Sequence, residues 1–427
     1  MKVEYAEESS VRKSLSFEVE AELVEQELEQ RARELARKVK LPGFRAGKVP
    51  AGVIRQRFKE SLHEEAAEAL INRLVFPELE GRGLKPVASP RVTELKIDDQ
   101  APMTFKVLIE TLPLFELPDW RGLPARTRPV EVPDQELEKE LQSLREQQAR
   151  FEPVEGRPVQ EGDHALCDVT WKPAGGGKGG RNEDALIEVG PETNPALHEA
   201  LLGMSPGETR QATYQPEAAE GQDGAAGEKP RAVEYTLTLK AVRTKVLPAL
   251  DDEFAKDVGE FETLDDLRQD LRRRLRESEE RRVDREVKSQ LVAELCKRAS
   301  FEVPEALVER HMSARTEEAA RSLALRGIDP SKTSVDWKQF REGTREQARE
   351  AAKADILLDE VARREQVEVP EQDVEAELQR YARAMRKPVE AVRAQMEKEG
   401  ELHALRARMR EERTLDLIKS SARLEQA

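Results

Sequence analysis

Apolar and polar positions change rhythm several times along the chain. Val11 to Val19 alternates at the two-residue period of a strand, and a polar helical pattern runs from Ala21 to about Lys38. The Gly/Pro-rich stretch LPGFRAGKVP, Leu41–Pro50, breaks that pattern. Helical segments follow at Val53–Phe58 and Glu64–Leu79, then strand-like runs at Arg91–Ile97 and Met103–Leu112. These predict a small α+β domain over residues 1–112, edged by Pro113 and Pro118.

Residues 113–150 read as a linker, extended at first and then a charged helix from Pro133 to about Arg150. Residues 151–245 hold most of the glycines. Their β-like runs at Ala165–Thr170, Ala185–Val189 and Val233–Val242, with loops at Ala174–Gly180 and Ala218–Lys229, predict a β-rich domain.

From about Leu247, within a domain taken as 246–427, the pattern becomes helical. Leu264, Leu267, Leu271 and Leu275 form a stripe that Val283, Val287, Leu291 and Leu295 resume. VEVPDQEL at Val130, FEVPEALV at Phe301 and VEVPEQDV at Val367 repeat one scheme. An extended run meets a proline suited to the first helical position, with acids in the first turn. A recurrent way of starting helices explains this better than a true repeat. The fold class is therefore multidomain α+β with an extended all-helical C-terminal domain.

Composition narrows the function. The chain has 427 residues, 71 Lys+Arg and 86 Asp+Glu, for a net charge of −15. Charged residues make up 37% and aromatics 4%, so cores must be aliphatic and large faces solvated. The acidic excess argues against wholesale nucleic-acid binding. Cys167 and Cys296 have neither disulfide-framework nor metal-ligand spacing. The charged N-terminus lacks the apolar stretch of a signal peptide, and no apolar run reaches the ~18 residues of a membrane helix. A cytoplasmic protein without cofactor or membrane association is expected. His63, His164, His198, His311 and His403 have no metal or triad spacing.

One segment departs from the acidic body. Arg31 to Lys59 carries ten Lys/Arg against Glu34 alone, +9 in 29 residues, leaving −24 for the remainder. Such a patch suits a polyanion docked in one orientation. Phe44 sits at its centre, either an exposed apolar anchor or a ring tucked beneath its own helices. A phosphate-loop reading fails, because three residues rather than four separate Gly43 from Gly47-Lys48 and Val49 follows in place of Ser or Thr.

GFRAGKVP after a basic helix resembles the ribosome-docking signature of the bacterial trigger factor family, and the order and lengths of the segments resemble that family throughout. The resemblance implies a docking domain, a linker, an FKBP-like prolyl isomerase domain over 151–245, and a helical chaperone domain. It implies that Gly43, Phe44, Arg45, Gly47 and Lys48 contact ribosomal protein and RNA of the large ribosomal subunit beside the exit tunnel. Ala46 replaces a Lys often found there, so one phosphate contact is missing. Nascent and unfolded polypeptides would be the clients, with a possible homodimer off the ribosome.

The isomerase resemblance rests on Gly162-Asp163, Asp168-Val169-Thr170, Val189-Gly190 and Gly203 with Pro206-Gly207-Glu208. Its pocket departs from the family. Asn194-Pro195-Ala196-Leu197-His198 and Tyr214-Gln215-Pro216 stand where aromatics are expected. Candidate pocket residues are Asp168, Trp171, Val189, Leu197 and Tyr214; Trp171 reads better as packing, and Asp168 equally as a strand-end residue. Weak or absent isomerase activity is predicted. Met312, Met385, Met396 and Met409 are adaptable client contacts or helix-gap fillers. The rival reading is a ribosome-independent isomerase or holdase with a helical dimerisation scaffold.

Overall fold

The computed structural model describes residues 1–427 except 40, 43, 45–48, 175–177, 216–231, 334 and 427. In chain order the elements are β1 Lys2–Glu7, β2 Arg12–Val19, α1 Ala21–Lys38, α2 Ala51–Arg57, α3 Lys59–Gly81, β3 Arg91–Lys96, β4 Met103–Glu110 and β5 Pro124–Thr127. Next come α4 Asp134–Gln147, β6 Arg150–Val154, β7 Asp163–Pro173, β8 Gly180–Glu188, α5 Pro195–Leu201, β9 Thr209–Tyr214, β10 Val233–Val246 and α6 Asp252–Val258. The remainder is α7 Leu264–Arg298, α8 Glu305–Leu325, α9 Trp337–Gly343, α10 Arg345–Arg364, α11 Glu371–Met385, α12 Val389–Glu399, α13 Glu401–Ser420 and β11 Arg423–Gln426. A short 3-10 turn, Pro330–Lys332, precedes α9. None of the helices described is long and apolar enough to cross a membrane.

The chain divides into two compact units, Met1–Arg128 with Val283–Ala427, and Pro129–Arg282. In the first, an antiparallel sheet runs β1-β2-β4-β3. Leu15, Phe17 and Val19 of β2 face inward opposite Val107, Phe105 and Met103 of β4, and Phe17 stacks on Phe105 at 4.7 Å. Alternation on both strands makes that register unambiguous, since a one-residue slip would bury Glu18 and Lys106. Val24, Leu28, Ala32 and Ala36 of α1 join the same core with Leu62, Ala66 and Leu70 of α3.

The C-terminal helices of this unit form separate small cores. One joins Val308 and Met312 of α8 to Ala348, Ala352 and Ile356 of α10, with Phe115 stacked on Phe301 at 4.3 Å. Another joins Val374 and Leu378 of α11, Val392 of α12 and Leu405 of α13. The helical run ends in a strand: β11 pairs in parallel with β5. The exposed sequence RLEQ gives no sign of this, because β5 supplies the pairing and no side chain of β11 is buried.

In the second unit β10 is the spine of a five-stranded sheet. β7 pairs along one edge of it, while β9 and then β6 share the other. Ala165, Cys167, Val169, Leu237 and Leu239 point into the core beneath. β1, β5, β6 and β9 are short or mostly exposed, and none stands out in the sequence pattern. Leu137 and Leu141 of α4 pack with Phe254, Leu267 and Leu271 in a second small core.

The helix-start prolines differ from expectation by one position. Pro133, Pro304 and Pro370 are N-caps, with ψ between 129° and 143°, rather than first helical residues. Proline's fixed φ suits the extended run before the helix as well as the helix itself, and each proline carbonyl accepts from the N–H groups three and four residues on.

Candidate functional site

The basic segment is held by core residues on each side. Leu41 and Val49 are buried, and Ile54 of α2 is fully so. Between them Phe44 is 41% exposed, its N–H donating to the Leu41 carbonyl at 3.1 Å. The ring therefore stands in solvent rather than beneath its helices. Gly43, Arg45, Ala46, Gly47 and Lys48 lie outside the described residues.

Many of the positive charges are already engaged. Arg31 bridges buried Glu27 and also Glu34, and Arg33 pairs with Glu29. Arg55 holds Glu25 through two hydrogen bonds, at 2.8 and 3.0 Å, and reaches Asp99 at 3.3 Å. Lys59 and His63 meet the same Asp99 at 2.8 and 3.1 Å. Hydrogen bonds from Lys59 and His63, with Arg55 behind them, hold the Asp99 carboxyl well below the usual carboxylate range. Among the described residues, Arg37, Lys38 and Arg57 are exposed and make no ion pair. The sequence count of charge thus exceeds what the fold presents.

In the β-rich unit the pocket candidates separate. Val189 is fully buried, and Trp171 and Leu197 pack against the same core. The Trp171 ring lies on Gly180 of the neighbouring strand so closely that a Cβ there would stand 2.2 Å from it. That ring packs a strand. Asp168 lies on the opposite face of β7 from Cys167 and Val169, bonded to Lys240 at 2.7 Å and accepting from the Asp184 N–H at 3.0 Å. The Lys240 bond, then the Asp184 N–H, lowers its pKa. Tyr214 ends β9 opposite Val233, outside that core cluster.

The C-terminal helices expose apolar groups that periodicity did not pick out. Leu325, Ile328, Val335 and Phe340 are exposed around the connection from α8 to α9, where Trp337 meets Phe340 edge-on at 6.0 Å. Their signal was available for Ile328 and Val335: apolar residues in a connection, out of step with the helical stripe, have no core to enter. Tyr381, Met385, Val392, Met396 and Leu405 line a groove of ≈ 370 Å³ between α11, α12 and α13. Of the methionines, Met312 fills a core, Met385 is exposed, and Met396, which lines this groove, and Met409 pack against the small core of α11, α12 and α13.

Comparison with known proteins gives the family. Residues 1–144 match the model of bacterial trigger factor protein (TF), and residues 263–420 match that of its C-terminus. Trigger factor from Solibacter usitatus (strain Ellin6076) is 32% identical, covering 96% of this chain and 97% of its own. That of Anaeromyxobacter dehalogenans (strain 2CP-C) is 35% identical with 100% of both chains covered. The chain belongs to the trigger factor family. A solved trigger factor chaperone structure aligns over 98% of this chain at 23% identity, with a TM-score of 0.49. The N-terminal trigger factor match takes in the α+β domain, β5 and α4, and the C-terminal match takes in α7 to α13. Phe44 and the basic segment lie in the first; the exposed apolar turn and the methionine-lined groove lie in the second.

Proposed function

We propose that this trigger factor is an ATP-independent chaperone. It docks through Gly43–Lys48 on the large ribosomal subunit at the exit tunnel and holds nascent chains on its C-terminal helices. The observation that carries the reading is Phe44: an exposed aromatic between two buried anchors, in the same basic segment as the exposed cations Arg37 and Lys38. An apolar ring with open positive charge suits a surface made of protein and RNA phosphate together.

Client binding follows from the second half. Exposed Leu325, Ile328, Val335 and Phe340, and the groove at Met385, offer separate apolar spots on a charged body. Each spot contributes about 1–3 kcal/mol, so several hold an unfolded segment and none traps it. Release then needs no nucleotide or cofactor. The domains act as read from the sequence: docking domain 1–112, linker 113–150, FKBP-like domain 151–245 and helical chaperone domain 246–427, in the cytoplasm. The FKBP-like domain has weak isomerase activity, because the aromatic wall is replaced by Leu197 and Trp171 packs a strand. The same apolar surfaces support a homodimer off the ribosome.

Aggregation of a chemically unfolded protein, followed by light scattering with and without the full chain, tests the chaperone reading. Suppression at equimolar ratio without ATP is expected. Loss of that suppression in a Leu325→Ser/Phe340→Ser variant assigns it to the exposed turn, and no suppression by wild type at several-fold excess contradicts the reading.

A further inference from the structure

The carboxylates that occupy part of the basic patch come from outside it. Glu25 lies on α1 and Asp99 in the turn between β3 and β4, yet both converge on the end of α2 and the start of α3. Glu25 takes Arg55 with both oxygens and also accepts the Gln100 N–H at 2.8 Å. Asp99 takes Arg55, Lys59 and His63 together. Gln100 stands at φ 58°, a left-handed conformation uncommon for a residue with a side chain, which turns its N–H to Glu25. Three basic side chains are thereby gathered on two acids, while Arg37, Lys38 and Arg57 stay open.

We propose that Glu25 and Asp99 are selectivity residues of the docking surface. They neutralise Arg55 and Lys59 internally, so that Arg37, Lys38 and Arg57 are the described cations of the patch offered to phosphate. The inference rests on the docking reading and adds to it a division of labour within the patch.

The physical reason is discrimination. A surface with every cation open binds any polyanion, since counterion release rewards each phosphate contact without regard to sequence or shape. Withdrawing two strong cations lowers affinity for free RNA. A composite target that also engages the Phe44 ring loses less, because part of its binding is apolar. Specificity here comes from weakening the wrong complex.

The test uses full-length wild type, Glu25→Gln/Asp99→Asn, and Asp99→Asn alone. The amides keep the size and one acceptor oxygen each and remove the charge. Binding to poly(U) and to salt-washed 70S ribosomes is measured across a salt series, with thermal melting to confirm folding. For poly(U), the double variant should bind several-fold tighter, and its log K against log salt slope should steepen by about 1.4 for two freed cations. Its preference for ribosomes over poly(U) should fall several-fold. Should the double variant not fold, Asp99→Asn alone should still steepen the slope by about 0.7, from Lys59. An unchanged slope, or parallel loss of both affinities, overturns the proposal. Failure of wild type to bind ribosomes refutes the docking reading instead, and the poly(U) comparison still reads out the charge claim.

Discussion

The Gln290 side chain hydrogen-bonds both backbone groups of Arg126: its Oε1 accepts the Arg126 N–H at 2.9 Å, and its Nε2 donates to the Arg126 carbonyl at 3.0 Å. The amide of α7 thus occupies the edge of β5 that β11 leaves free. A four-residue strand with one neighbour would be marginal alone. Arg128 continues the contact through Glu286 at 3.1 Å.

Gln290→Ala should therefore loosen the strand that follows the N-terminal α+β domain. Losing two exposed hydrogen bonds costs about 1 kcal/mol, equivalent to roughly fivefold faster local opening. Hydrogen exchange at the Arg126 amide reads this directly, and an unchanged rate would show that β11 alone holds β5.

Lys288 is the buried cation of the helical half, with Asp416, Glu412 and Asp284 around its ammonium. Burial opposes its charge, but the hydrogen bonds it donates to those acids prevail and raise its pKa. Lys288→Met leaves carboxylates facing one another across α7 and α13 and should cost about 2 kcal/mol in urea unfolding, discounted because two of the partners are largely exposed. A raised lysine contributes stability that is complete below about pH 10.4 and declines as pH rises through its folded value. The variant should lack that alkaline component.

Asp99 gives the opposite pH signature. Its carboxyl is held low by Lys59, then His63 and Arg55, so its contribution is present above about pH 4 and disappears as pH falls through its folded value. Glu25, lowered chiefly by Arg55, acts in the same direction. Glu25→Gln/Asp99→Asn should flatten the acid limb of a melting-temperature profile below pH 4. An acid limb identical to that of wild type would place the acid sensitivity elsewhere, Glu360 with its pKa lowered to about 2 being the next candidate.

Much of this architecture could be read from residue order. Strands β2 and β4 alternate over most of their length, and α1 carries a stripe ending at a Gly/Pro loop, so the first domain was legible. β11 was not, because RLEQ buries nothing and exists through a partner about 300 residues away. The basic segment was legible as charge, but its neutralisation by Asp99 was not, since that acid lies 44 positions from Arg55. Pocket residues Trp171 and Asp168 are near neighbours in sequence, yet a strand sends them to opposite faces.

That separation bears on catalysis. With the expected aromatic wall absent, the full chain should isomerise a prolyl tetrapeptide with kcat/KM at least about tenfold below an intact FKBP-type enzyme, a deficit of about 1.4 kcal/mol in transition-state stabilisation. A protease-coupled assay measures it. A rate equal to that of the intact enzyme would mean that Val189, Leu197 and Tyr214 suffice.

The central claim, docking through the loop at Phe44, is tested most directly by co-sedimentation with salt-washed bacterial ribosomes. Wild type is compared with Phe44→Ala/Arg45→Ala across a salt series. The account predicts that wild type pellets at low salt, is released as salt rises, and that the double variant stays in the supernatant. Pelleting of the variant to the same extent, or failure of wild type to pellet at any salt, would contradict it.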